Sequence, residues 1–119
     1  MGSKHRILIV DDNRSLVLGA ERILRKEGFE VITAFDGLEG LNKAQQWNPD
    51  LILLDILMPK LNGFEVLNSV RQWSRVPVLM ITAAYDESSA RDILSRGANG
   101  YIRKPFLIHD LVDWIRERV

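Results

Sequence analysis

The chain has 119 residues, of which 46% are apolar and 27% are charged, and its 16 basic residues balance its 16 acidic ones. A chain of this length is expected to form one domain with a core that needs no cross-links. The absence of cysteine excludes disulfides, thiolate ligands and thiol nucleophiles. The balanced charge argues against direct binding of nucleic acid or an anionic membrane. No apolar stretch approaches the roughly 20 residues that span a bilayer.

Short apolar runs alternate with segments of helical period along the chain. The predicted strands cover residues 7–10, 31–34, 51–54, 78–81 and 101–102. Three of them are continuous runs of Ile, Leu, Val or Met, as expected of strands that are covered on both faces. The alternation therefore predicts an α/β fold with a parallel sheet.

An amphipathic helix is predicted after each strand. Gly28, Asn48 and Gly97 are expected to end the first, second and fourth of these helices. Right-handed crossovers place helices on both faces of the sheet. The apolar positions that define the five helices are Leu16, Ala20, Ile23 and Leu24; Leu38, Leu41 and Ala44; Phe64, Leu67 and Val70; Ala90, Ile93 and Leu94; and Leu111, Val112, Ile115 and Val119.

Polar side chains follow four of the predicted strands. In chain order they are Asp11 and Asp12, Asp55, Thr82, and Arg103 with Lys104. Open parallel sheets bind ligands at the carboxyl ends of their strands. If the first, third, fourth and fifth strands are neighbours, three acids, a hydroxyl and an ammonium meet at one edge of the sheet.

Three carboxylates at one place repel each other unless a cation lies among them. With only oxygen ligands at hand, Mg²⁺ or Mn²⁺ is favoured over zinc. The hydroxyl of Thr82 and the ammonium of Lys104 suit phosphoryl oxygens, and Asp55, alone at the end of the run LILLD, is the candidate nucleophile. Taken alone, Asp11, Asp12 and Asn13 are equally compatible with capping the first helix, and beside a metal site Asn13 or Arg14 can still begin it.

Four stretches resemble the receiver domain of two-component response regulators in order and spacing: VDD (10–12), LLDILMPKLNG (53–63), ITAA (81–84) and GANGYIRKPF (97–106). The resemblance covers residues 4–119, which we take as one receiver domain, and we interpret residues 1–3 as a start followed by a cloning remnant. It implies the flavodoxin-like fold, a doubly wound five-stranded parallel sheet of order 2-1-3-4-5 with five helices.

The resemblance also implies a role for each matching position. Asp55 would be the phosphoacceptor and would contact the metal. Asp12 would bind Mg²⁺ directly and Asp11 mostly through water, and the backbone carbonyl of Leu57 would be a further ligand. Catalysis would be limited to phosphorylation and dephosphorylation of the domain itself.

Further positions match the switch and the loops of the family. Thr82 and Lys104 would contact the phosphoryl oxygens, and Tyr101 would be the aromatic switch residue that turns inward when Thr82 moves. Pro105 fits a cis Lys-Pro bond. Pro59 and Gly63 would shape the loop after the acceptor.

The implied partners are a sensor histidine kinase or a phosphotransfer protein, and a downstream output domain or protein in the cytoplasm. The face formed by the fourth helix, the last strand and the last helix would change on phosphorylation. Charges of both signs on this face make a homodimer plausible, through Arg91, Arg96, Arg103, Asp110 and Asp113.

Leu57 and Ala84 lie two residues beyond Asp55 and Thr82, at positions that flank the path of the attacking water in this family. Both side chains are apolar, so neither can orient a water molecule. We therefore expect slow self-dephosphorylation.

Three other functions share part of this pattern. A Mg²⁺-dependent phosphatase of the haloacid dehalogenase type also uses an aspartyl nucleophile, but its Asp-x-Asp follows the first strand and it needs a cap. A flavin-binding domain of similar topology would offer hydroxyls to a phosphate where Asp11 and Asp12 would repel one. A receiver-like interaction module that is not phosphorylated usually lacks one of the five matching polar residues.

Overall fold

The computed structural model describes residues 4–83 and 87–119, and the side chains of 4–83 and 90–119. Its strands are β1 (Arg6–Val10), β2 (Glu30–Ala34), β3 (Leu51–Asp55), β4 (Val78–Thr82) and β5 (Gly100–Arg103). The helices between and after them are α1 (Arg14–Lys26), α2 (Gly37–Trp47), α3 (Gly63–Arg71), α4 (Glu87–Ser95) and α5 (Ile108–Arg118).

All neighbouring strands are parallel, and their order in the sheet is β2-β1-β3-β4-β5. This confirms the predicted fold class and strand order. Every strand extends at least one residue beyond its predicted range, because the hydrogen-bonded ladder continues past the apolar run. Asp55 and Thr82 are themselves the last residues of β3 and β4.

The sheet is buried on both faces, and its two sides form two cores. On the α1/α5 face, strand residues such as Ile9 and Leu53 pack with Leu24 and Ile115. On the α2/α3/α4 face, alternate strand residues such as Leu54 pack against the other three helices. The period of two along each strand therefore decides which face a side chain enters.

Some apolar residues predicted to face the core are exposed instead. In α1 the fully buried positions are Val17, Ala20 and Leu24, whereas Ile23 is partly exposed. The helical spacing was right, but the buried stripe is centred on Val17 rather than Leu16.

Helix α2 also exposes an apolar side chain that was expected in the core, but for a different reason. Its buried positions are Gly37, Gly40 and Ala44, while the side chain of Leu38 is exposed. Small residues let this helix approach the sheet closely, so the bulky side chain points to solvent. In α4, Leu94 is likewise exposed and Ile93 is buried.

The predicted helix ends agree with the backbone. Gly28 and Gly97 adopt the left-handed conformation with φ of 96° and 104°, and Asn48 caps α2 with φ of 55°. Among the described residues, no helix is both long enough and apolar enough to cross a membrane.

Gly19 lies in the interior of α1, and a Cβ built there meets nothing within 4 Å. Replacing it with alanine should raise the free energy of unfolding by about 0.5–1 kcal/mol, because glycine loses more backbone entropy in a helix. Urea denaturation of Gly19→Ala measures this. Gly28→Ala is the matched control, since that site is equally open but has positive φ, and it should be destabilised. Equal midpoints for the two variants would contradict the expectation.

Candidate functional site

The polar residues predicted to converge do lie at one edge of the sheet. Asp11 follows β1, Asp55 ends β3, Thr82 ends β4 and Lys104 follows β5. The register aligns these ends, since Val10 pairs with Leu54 and Asp55 pairs with Ile81. Three backbone hydrogen bonds continue the ladder just past the strands: Asp11 N to Ala34 O (3.1 Å), Ile56 N to Ile81 O (3.0 Å) and Lys104 N to Thr82 O (2.7 Å).

Three carboxylates form the centre of this edge. One oxygen from each of Asp11, Asp12 and Asp55 lies within 4.8 Å of the others. Asp11 is fully buried and Asp55 is 5% exposed, whereas Asp12 faces solvent. Buried carboxylates this close repel each other strongly when ionised.

Lys104 supplies a positive charge inside the cluster. Its Nζ lies 3.0 Å from Oδ2 of Asp11 and 3.6 Å from Oδ1 of Asp55. Burial alone would lower the pKa of Lys104, but the nearby carboxylates of Asp11 and Asp55 outweigh it, so the pKa is raised. The ammonium therefore stays charged at neutral pH.

One ammonium does not compensate three carboxylates. Burial, followed by the charge of Asp11, raises the pKa of Asp55 to about 7, against the opposing effect of Lys104. Asp11 is also incompletely satisfied. Its Oδ1 accepts from Asn13 N at 2.9 Å, but its buried Oδ2 accepts no hydrogen bond from the described residues. The ammonium of Lys104 approaches Oδ2 as a charge, without hydrogen-bond geometry.

These observations test whether a hard divalent cation fits. The cluster offers only oxygen ligands, carries excess negative charge and contains a buried oxygen that lacks a hydrogen bond. Mg²⁺ binds through one or two carboxylates and retains waters, so this donor set suits it, and Mn²⁺ has similar preferences. The predicted acidic cluster is thus present, and its residues fit the metal.

Thr82 and Tyr101 lie on the same face of the sheet. Tyr101 pairs with Met80, and Thr82 is two residues further along β4, which places both side chains on the α2/α3/α4 side. Thr82 is buried, and Tyr101 is partly buried against the core of that face. The two predicted switch positions are therefore diagonal neighbours on adjacent strands.

The loops at this edge have the features expected from the resemblance. The Lys104–Pro105 peptide bond is cis. In the loop after Asp55, Gly63 donates from its N–H to Ile56 O at 2.7 Å, and a Cβ at Gly63 would clash with the carbonyl oxygen of Asp55. Pro59 precedes Lys60, which has a positive φ of 72°. The side chain of Leu57 is 69% exposed, and Ala84 lies outside the described residues.

One of the cap candidates from the sequence, Asn13, is confirmed at this edge, and one contact was not identified from the sequence. Asn13 donates to Asp11 as described above, and its own Oδ1 accepts from Leu16 N at 3.1 Å as the N-cap of α1. The cap is therefore Asn13, so neither neighbouring aspartate is needed for that role. The close contact between Gly37 and Leu61 gave no signal in the sequence, because it joins distant segments.

Asp55→Asn should stabilise the metal-free protein above pH 7. In the native state Asp55 keeps its proton up to about pH 7, whereas unfolded chains lose it near pH 4, so the free energy of unfolding of the wild type falls as pH rises between these values. The variant lacks this loss and should be more stable by roughly 2–4 kcal/mol at pH 8, with a smaller gap at pH 5.

Urea denaturation in EDTA at the two pH values measures this difference. Asp113→Asn, which alters a carboxylate that is 60% exposed on α5, is the control and should not reproduce the stabilisation of Asp55→Asn at pH 8. A wild type as stable as Asp55→Asn at pH 8 would contradict the inferred cost of ionising Asp55, which burial and the charge of Asp11 impose.

Comparison with known proteins agrees with this geometry. Residues 7–116 match the model of the response regulator receiver domain. The DNA-binding response regulator MtrA of Mycobacterium tuberculosis is 40% identical over 98% of this chain and 51% of its own length. The alkaline phosphatase synthesis transcriptional regulatory protein PhoP of Bacillus subtilis is 45% identical over 85% of this chain and 42% of its own length. This chain therefore spans about half the length of these relatives.

The fold is also similar to that of solved structures. Chemotaxis response regulator CheY4 of Vibrio cholerae superposes with a TM-score of 0.91 and 33% sequence identity, covering 98% of this chain and 100% of that one. The match in sequence and the match in fold both include the four strand ends that carry the acidic cluster, Thr82 and Lys104. The chain belongs to the response regulator receiver domain family.

Proposed function

We propose that this receiver domain takes a phosphoryl group onto Asp55 from the phosphohistidine of a sensor histidine kinase or a phosphotransfer protein. The observation that supports it most directly is the position of the Asp55 carboxylate, buried at the sheet edge beside two further carboxylates and the Lys104 ammonium. A carboxylate so placed is a nucleophile with an adjacent cation to bind the charge of an incoming phosphoryl group.

In the proposed transfer, a carboxylate oxygen of Asp55 attacks phosphorus. The bond from phosphorus to the donor imidazole breaks, and its electron pair stays on the imidazole nitrogen. Asp55 must be ionised to attack, and Lys104 favours its ionised form. The Lys104 ammonium then binds a phosphoryl oxygen, and the hydroxyl of Thr82 donates to another.

The residues that would hold Mg²⁺ are Asp11, Asp12, Asp55 and the backbone carbonyl of Leu57. When bound, the ion supplies positive charge to the phosphoryl oxygens during transfer. Its charge would also favour the ionised form of Asp55, which burial and the charge of Asp11 disfavour in the metal-free protein. The domain acts as a signalling element, and its catalysis is confined to its own phosphorylation and dephosphorylation.

The proposed output follows from the shared face of Thr82 and Tyr101. When Thr82 turns toward the phosphoryl group, it leaves space that Tyr101 can fill from the adjacent strand. This changes the surface of α4, β5 and α5, where an output domain, an output protein or a second copy would bind. Phosphorylation shifts a population between two states and needs a differential affinity of only a few kcal/mol. MtrA is a DNA-binding response regulator and PhoP a transcriptional regulatory protein, and these relatives support an output in transcriptional control.

Asp55→Asn should abolish labelling by acetyl phosphate in the presence of Mg²⁺. An amide is not a nucleophile toward phosphorus, so no phosphoaspartate forms. Labelling is followed by intact-protein mass spectrometry, with Asp113→Asn as a control that should be labelled like the wild type. Persistent labelling of Asp55→Asn with the same stoichiometry would assign the acceptor to another residue.

Leu57→Asn should shorten the lifetime of the phosphorylated protein. Leu57 follows Asp55 by two residues and presents an apolar side chain to solvent, which cannot orient a water molecule, whereas an amide can. We expect the dephosphorylation rate to rise by roughly tenfold, less than the roughly 10²–10⁴-fold that a positioned acid or base contributes, because the amide orients the water without taking its proton. The rate is measured by phosphate release after the donor is removed.

Leu57→Met is the matched control, because it retains an apolar side chain of similar volume. Its phosphoryl lifetime should equal that of the wild type. A wild type that already loses phosphate as quickly as Leu57→Asn would refute the expectation of slow self-dephosphorylation.

A further inference from the structure

The loop that follows Asp55 runs across the first turn of α2. This loop, residues 56–62, contains Leu57 and connects β3 to α3. Its residue Leu61 lies against Gly37, the first residue of α2. Leu61 is also partly buried against the core of the α2/α3/α4 face. The loop beside the acceptor is therefore supported by a helix that contributes no residue to the acidic cluster.

The contact at Gly37 leaves no space for a side chain. A Cβ there would clash with the carbonyl oxygen of Leu61 and lie 2.7 Å from its Cβ. The backbone of Gly37 does not have positive φ, so its conformation is open to any residue. Glycine is required here by the close approach of the loop, and the main-chain partner cannot move aside as a flexible side chain could.

A second contact joins the same two segments. Asp36 caps α2 by accepting from Glu39 N at 2.8 Å, and its other oxygen lies 3.4 Å from Nζ of Lys60. Lys60 has a φ of 72°, a conformation that costs free energy for a residue with a side chain. The Lys60 backbone is thus held in a strained state between the contact at Leu61 and the turn that begins at Pro59.

The other end of the loop is fixed to the acceptor itself. Gly63 packs against the carbonyl oxygen of Asp55 so closely that a Cβ is excluded, and its N–H donates to Ile56 O. Only Asn62 separates Leu61 from Gly63 along the chain, so a displacement of Leu61 would be transmitted to Gly63. The backbone at Asp55 and Ile56, directly before Leu57, is therefore connected to the start of α2 by two successive main-chain contacts.

We propose that Gly37 is a positioning residue for phosphorylation, which acts through Leu61 to fix the loop that carries the Leu57 carbonyl beside Asp55. This inference rests on the proposed function of that site. It assigns to the first turn of α2 a part in metal binding and phosphoryl transfer, although β2 and α2 hold none of the reacting groups.

The test compares three glycine-to-alanine substitutions. Gly37→Ala should displace the loop, weaken Mg²⁺ binding by roughly tenfold, as is typical for residues that position metal ligands, and slow labelling by acetyl phosphate. Gly19→Ala adds the same methyl group in open space. Gly100→Ala adds the methyl group 2.8 Å from the Trp114 ring, at the first residue of the outer strand β5. This variant controls for crowding and lost stability.

Three readouts separate positioning from general destabilisation. Amide hydrogen exchange of residues 56–62 in the metal-free protein should increase in Gly37→Ala alone. Calorimetric titration with Mg²⁺ gives the affinity, and the melting temperature gives the stability. Faster exchange and weaker Mg²⁺ binding in Gly37→Ala, with wild-type values in the other two variants, support the inference.

Weakened Mg²⁺ binding in Gly100→Ala that matches Gly37→Ala would overturn it, because stability alone would then explain the loss. Wild-type affinity and exchange in Gly37→Ala would overturn it as well.

If Gly37→Ala does not fold, Asp36→Ser takes its place, since serine keeps the cap and removes the partner of Lys60. Unchanged exchange at residues 56–62 in that variant would also refute the inference. A wild type that binds no Mg²⁺ would refute the proposed function instead.

Discussion

Electrostatic repulsion among Asp11, Asp12 and Asp55 is the constraint on which the chemistry of this domain depends. The buried position of Asp55 and the charge of Asp11 raise the pKa of Asp55 to about 7, and Lys104 offsets only part of the excess charge. The folded protein therefore maintains an arrangement that costs free energy until more positive charge arrives. Sites of this kind sacrifice stability for reactivity, as expected where function and folding compete for the same residues.

The sheet makes this crowding possible. Parallel strands in the order β2-β1-β3-β4-β5 bring residues from distant parts of the chain to one edge, and the apolar runs that precede them are buried on both faces. The hydrophobic free energy of those runs stabilises the strand positions. Repulsion at the edge then raises the free energy of the native state without separating the strands. The helices on this face differ in their roles. The first residue of α3, Gly63, packs against the carbonyl oxygen of Asp55, whereas the first residue of α2, Gly37, contacts the loop at Leu61.

The sequence predicted the elements whose signal is local. Continuous aliphatic runs located the strands, and the polar residue that follows each run located Asp11, Asp55, Thr82 and Lys104. Non-local features could not be read in this way. Helical spacing alone did not show that Val17 rather than Leu16 centres the buried stripe of α1, or that small residues bring α2 so near the sheet that Leu38 faces solvent. The approach of Lys104 to Asp11, at 3.0 Å, and the contact of Gly37 with Leu61 depend on packing between separate segments.

Main-chain hydrogen bonds extend the ladder to Asp11, Ile56 and Lys104, one residue past the strands. The relative positions of the reacting groups are thus set by amides and carbonyls that every amino acid except proline provides. Exchanging one of these side chains for another alters the chemistry but keeps the scaffold. Descendants of such a domain can lose, retune or replace their reactive groups in single steps while the remaining protein still folds.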